Sequence, residues 1–157
     1  MRISNIIRAI LDLFKRKDDS LFGDASAKIN QDLKEQNKGW IKASDFERMF
    51  REFKDSEIYG KMVLYLISKN ENEAPDRETI RKMLYVHFFA FRLYLQSIAP
   101  NMIDTDIDYC ILILSGFKQM DIYRLLNISQ SGIRNIKPRL KNKLPSYIYN
   151  IIFKNNN

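Results

Sequence analysis

The sequence predicts an all-α protein, and three observations carry that reading. Apolar residues recur at steps of three and four in one segment after another, with no strand-like alternation anywhere. Glycine and proline are scarce, five and four in 157 residues, so helices have few places to break. Hydrophobic residues make up 45% of the chain, enough for a real core and too many for a disordered polymer. The expected order is a helical N-terminal region followed by a tri- or tetra-helical unit. It divides as 1–44, an amphipathic helix and linker; 45–100, a helical bundle region; and 101–157, the terminal helical domain.

Residues 1–17 place Ile3, Ile6, Ile7, Ile10, Leu11 and Phe14 on one stripe, with Lys15, Arg16 and Lys17 at the favourable C-terminal end. Packing on the chain's own body or on a protein partner accounts for this better than a membrane surface does. The stripe is short and aliphatic, and the polar face is mixed. Residues 18–44 have little periodicity and read as a linker with a short helix from Ser26 to Gln36. Trp40, the only tryptophan, is expected to anchor the end of that linker to the core.

Ser44 and Glu47 have the spacing of a capping box ahead of Phe46, Met49, Phe50 and Phe53. A second helix runs through Ile58, Met62, Val63 and Leu66 to near Asn70, and Pro75 marks the following turn. Asp76 or Thr79 opens a long helix that contains Ile80, Leu84, Phe88, Phe91, Leu95 and Ile98 and stops before Pro100. His87 lies among its aromatic residues, where a lone histidine reads as a hydrogen-bonded core residue rather than a ligand.

The stretch from Asp104 to Leu144 organises the rest. Ile107, Cys110, Ile111 and Leu114 form one helix that Gly116 can close in a left-handed conformation. A short second helix carries Ile122, Leu125 and Leu126 and stops at Asn127, and Ser129 can cap a third. The third buries Ile133, Ile136, Leu140 and Leu144. Between them stand Arg134, Lys137, Arg139, Lys141 and Lys143, with no acidic residue. A short helix, a tight turn and a cationic helix are the pattern of a helix-turn-helix.

These residues resemble the C-terminal domain of LuxR-type response regulators and the corresponding part of sigma factors, in the versions found in Bacteroides-type bacteria. The likeness lies in the spacing of D-x-D-x-x-x-C-I-L-I-x-x-G-F, D-I-x-x-L-L-N-I-S and S-G-I-R-x-x-x-x-R-L-K-x-K-L. Through Asp55 to Tyr59 and Phe91 to Pro100 it extends over residues 53–145. The resemblance implies a transcriptional regulator that binds double-stranded DNA as a homodimer. Gln130, Ser131, Arg134 and Asn135 would read bases. Ser129 would bind phosphate through its amide, with Lys137, Lys141 and Lys143 as further phosphate contacts. Tyr147, Ile148, Ile151 and Ile152 would form the helix through which two copies pair.

Two positions depart from that pattern. Phe117-Lys118 stand where a capping Ser or Thr usually opens the short helix. Pro138 lies inside the third helix on the side of Ser131, Arg134 and Asn135, and an interior proline costs roughly 3 kcal/mol. Gly132 weakens the same helix. A helix altered there points to the alternative function, a degenerate helix-turn-helix that serves as a protein-interaction module.

Charge follows the motif. Residues 117–157 carry eight basic residues against Asp121 alone, and the 18 basic and 18 acidic residues before them cancel. The whole excess of +7 therefore sits on the cationic third helix and its surroundings, as expected for a polyanion partner.

Other chemistries find no support. Asp104, Asp106 and Asp108 alternate as in a calcium loop, but Tyr109 stands where its glycine belongs and Ser115 where its glutamate does. The triplet reads instead as first-turn acids of a helix. One histidine and one cysteine make no zinc set or catalytic pair, and no phosphate-binding glycine loop is present. No enzyme, metal or cofactor is expected. The lone Cys110 suits a reducing cytoplasm, the opening stretch lacks the features of a signal peptide, and the longest uncharged apolar runs are far short of the roughly 20 residues that span a membrane.

Overall fold

A computed structural model describes residues 21–153. Among them are nine α-helices, a single 3-10 turn and no strand. The expected amphipathic helix at 1–17 lies outside the described residues. The first described helix, α1 (Ala25–Glu35), falls where a short helix is expected within the linker, from Ser26 to Gln36. Ile29 and Leu33 on its inner face are fully buried, and Phe22 just ahead of it stacks on Phe91. The segment therefore joins the main core.

In α2 (Ala43–Lys54), Phe46, Phe50 and Phe53 recur at helical spacing and are all buried. Its start differs from the expected Ser44–Glu47 box. Lys42 occupies the cap position, and its N–H donates to Asp45 at 2.8 Å, while the Ala43 N–H donates to Asn30 Oδ1 at 2.7 Å. Glu47 instead accepts from the Phe22 N–H at 3.3 Å. Trp40 corrects a second expectation. It is 75% exposed, because the chain turns at Asn37 in a left-handed conformation and carries the indole outward.

Helix α3 (Glu57–Ser68) is capped by Ser56 Oγ, which accepts from the Tyr59 N–H. Tyr59 packs 5.3 Å from both Phe53 and Phe117, so one ring joins the upstream helices to the downstream ones. A 3-10 turn (Glu71–Glu73) leads to α4 (Arg77–His87), which Asp76 caps through the Thr79 N–H.

The long helix expected from here to Ile98 is broken at Phe88. Beyond it runs α5 (Phe89–Ile98). Phe88 is fully buried, its ring 4.7 Å from Phe50 and 5.3 Å from Phe53, and its backbone leaves helical geometry at φ −103°, ψ 24°. The break lets residues on both sides of it face the α2 aromatic cluster. His87 is held as expected, its Nε2 2.8 Å from the Met49 carbonyl oxygen.

The remaining helices are α6 (Asp104–Leu114), α7 (Gln119–Leu126), α8 (Gln130–Lys143) and α9 (Ser146–Phe153). Every residue of α6 from Asp106 to Leu114 is buried, with α4, α7 and α9 packed against this helix. α4 lies against α6 and α7, and α9 lies against α1, α6 and α8. Buried Ile148, Ile152 and Phe153 show that the α9 stripe expected to pair two copies faces this chain's own core. No described helix is long and apolar enough to cross a membrane.

Candidate nucleic-acid interface

Three successive helices, α6 to α8, are joined by short closed turns. At the first joint the Phe117 N–H donates to the Leu112 carbonyl at 3.1 Å and the Gly116 N–H to that of Ile113 at 3.0 Å. This double closure requires the positive φ that Gly116 adopts, +100°. The capping residue missing at Phe117-Lys118 is replaced from within the helix, since Asp121 Oδ2 accepts from the Lys118 N–H at 3.0 Å.

At the second joint Asn127 takes the left-handed conformation, φ +53°, and Ser129 Oγ caps α8 by accepting from the Gly132 N–H at 3.0 Å. A Cβ at Gly132 would sit 3.0 Å from Ser129 Oγ and 3.1 Å from Ile128 Cγ2, so the glycine, expected only to weaken the helix, permits the close cap. Gln119 Nε2 donates to the Ile133 carbonyl at 2.9 Å and clasps α7 to the first turns of α8.

Ile133, Ile136 and Leu140 bury the inner face of α8. Its outer face exposes Gln130, Ser131, Arg134, Asn135, Pro138, Lys141 and Asn142. The helix continues through Pro138, which stands on the solvent side where water can serve the carbonyl that lacks its usual donor. Of the residues expected to touch a ligand, Ser129, Gln130, Ser131, Arg134, Asn135 and Lys141 share this open side. Lys137 is half-buried with Nζ 5.2 Å from the centre of the Phe153 ring. Lys143 is placed elsewhere, with Nζ 3.0 Å from Asp106 Oδ2.

Asp106 was not singled out by the sequence as more than a first-turn acid. Its carboxylate does accept from the Ile103 N–H at 3.3 Å, in the manner of a cap. It is also completely buried and holds Arg139 as well as Lys143: Arg139 Nε lies 3.1 Å from Oδ1, and Nη2 binds the same oxygen. Burial alone would raise its pKa, but hydrogen bonds from Arg139, Lys143 and the Ile103 amide hold the carboxyl below the ordinary range.

Asp108, two residues on, faces the upstream helices. It pairs with Arg92 on α5 and, at 3.2 Å, with Arg81 on α4, while Arg92 also reaches Asp104 at 3.0 Å. Here burial prevails over the arginine charges and pushes the carboxyl up. The signal for these pairs was the alternation of the three aspartates, which puts successive members on opposite sides of a helix. Nothing in the sequence says which cations meet them.

A third buried acid, Asp32, accepts from Tyr94 Oη at 2.9 Å and from Tyr147 Oη, and so links α1, α5 and α9. Among the described residues, no group of three or more His, Cys, Asp or Glu side chains could hold a metal ion. Compared with protein-family models, with curated proteins and with solved structures, the chain matches none of them.

Proposed function

We propose that the chain is a transcriptional regulator, a binding protein rather than an enzyme, that lays α8 in the major groove of double-stranded DNA as a LuxR-like helix-turn-helix. The observation that carries this reading is the composition of the α8 outer face. It is polar and cationic, carries no carboxylate, and is turned outward by the packing of Ile133, Ile136 and Leu140. Gln130, Ser131, Arg134 and Asn135 are the base-reading candidates; arginine suits guanine, and asparagine and glutamine suit adenine. The Ser129 end of the helix, with Lys137 and Lys141, would meet phosphates. A homodimer addressing two half-sites about one DNA turn apart and a cytoplasmic setting belong to the same reading.

Titrating a labelled duplex at several salt concentrations tests it. A phosphate-binding face gives a log–log slope near −0.9 for each phosphate neutralised. No affinity at roughly 50 mM salt overturns the reading.

A second reading is favoured by a different surface. Tyr85, Val86, Phe89 and Leu93 are exposed along α4 and α5, on helical spacing across the Phe88 break. An apolar strip of this kind suits a protein partner, with the helix-turn-helix kept as a scaffold. Self-association or partner capture that is lost in Val86→Asp, together with absence of DNA binding, would select it.

A further inference from the structure

The five cations of α8 fall into two groups. Arg134 and Lys141 are exposed and have no carboxylate partner among the described residues, and Lys137 rests over a ring. Arg139 and Lys143, one helical turn apart, both close on Asp106. That carboxylate is fully buried, and its charge is balanced by cations inside the protein. The arginine fork takes one oxygen and the lysine ammonium takes the other. A phosphodiester presents the same chemistry, two oxygens sharing one negative charge.

We infer that Asp106 is a specificity-determining residue, an internal counter-anion that withdraws Arg139 and Lys143 from DNA. The inference rests on the DNA-binding reading given above. It narrows the cationic contact of α8 to Arg134, Lys137 and Lys141. Two fewer phosphate contacts weaken binding to every sequence alike, so base contacts at Gln130, Ser131, Arg134 and Asn135 decide a larger share of the affinity. The two ion pairs also fix the rotation of α8 about its axis, because they anchor its flank to the first turn of α6. Asp106 thus acts as a positioning residue, without touching the nucleic acid itself.

The test is fluorescence anisotropy of the full chain on a labelled duplex of random sequence, at salt concentrations from about 50 to about 200 mM. The phosphate contacts at Lys137 and Lys141 predict a contribution of about −1.8 to the slope from α8. Arg139→Gln and Lys143→Gln leave that slope unchanged, whereas Asp106→Asn frees both cations and steepens it by about 1.8. A slope shallower by about 0.9 in either glutamine variant overturns the inference and leaves the DNA-binding reading standing. Absence of wild-type binding overturns that reading and takes the inference with it. Circular dichroism checks each variant, and if Asp106→Asn does not fold, the two glutamine variants decide the matter.

Discussion

Asp106 and Asp108 stand two residues apart at the start of α6, both buried, and take their cations from opposite sides of the helix. One holds α8 and the other holds α4 and α5. Their environments move them in opposite directions, Asp106 to a lower pKa and Asp108 to a higher one.

A pH signature follows. Asp106 stabilises the fold above its unfolded pKa of about 3.9, and that contribution is lost as pH falls through its depressed folded value. Asp106→Asn therefore costs about 2 kcal/mol near neutrality, with the gap to wild type closing in acid. Asp108, with a raised folded pKa, pays an ionisation cost that appears as pH rises through that value. Asp108→Asn is accordingly most harmful in acid and compares better with wild type as pH rises. Urea unfolding at pH 3, 5 and 7, roughly spanning that window, reads both trends. Parallel trends for the two variants would contradict the opposed environments.

Tyr94 and Tyr147 share Asp32, so each hydroxyl supports the other's partner. Tyr94→Phe and Tyr147→Phe should each cost about 1 kcal/mol, and the double variant should depart from their sum. Burial and the hydrogen bond to Asp32 push Tyr147 up to about 12. Its contribution is complete below the unfolded value of about 10 and fades as pH rises from there through the folded one. An alkaline titration of stability shows this as a decline that Tyr147→Phe blunts.

Arg134→Ala should relax sequence preference at a cost of about 1–3 kcal/mol on the preferred duplex. Lys141→Ala should weaken all duplexes alike and make the salt slope shallower by about 1. Competition between specific and random duplexes separates the two effects. Equal losses on both duplexes for Arg134→Ala would remove it from the base readers.

Pro138 stands on the exposed side of a helix that continues past it. Pro138→Ala restores a backbone donor without disturbing the buried face, and should raise stability by about 1–3 kcal/mol. A rise in DNA affinity alongside marks the proline as a degeneration, and a fall makes its local geometry part of recognition.

Periodicity made the α6–α8 segment legible almost residue by residue, because Gly116, Asn127 and Ser129 carry local backbone signals that do not depend on distant partners. The same logic found α3, the Asp76 cap and the position of His87. It failed where a distant contact decides. Phe88 breaks a helix that its own neighbours would continue, since the α2 rings draw it inward. Trp40 was expected inside on hydrophobicity alone, yet the turn at Asn37 decides where it points. The buried ion pairs were invisible for a related reason. Alternating aspartates announce two faces, but the partners lie 16, 27, 33 and 37 residues away.

The bond from Tyr147 to Asp32 spans 115 residues. The last described helix is thus also a wall of the first described one, and Ile29 and Leu33 share a core with Ile148 and Ile152. During synthesis Asp32 leaves the ribosome 115 residues ahead of Tyr147, so that bond can form only after α9 has emerged. Until then the side of α1 that meets α9 lacks its cover, while the side that meets α2 can already close.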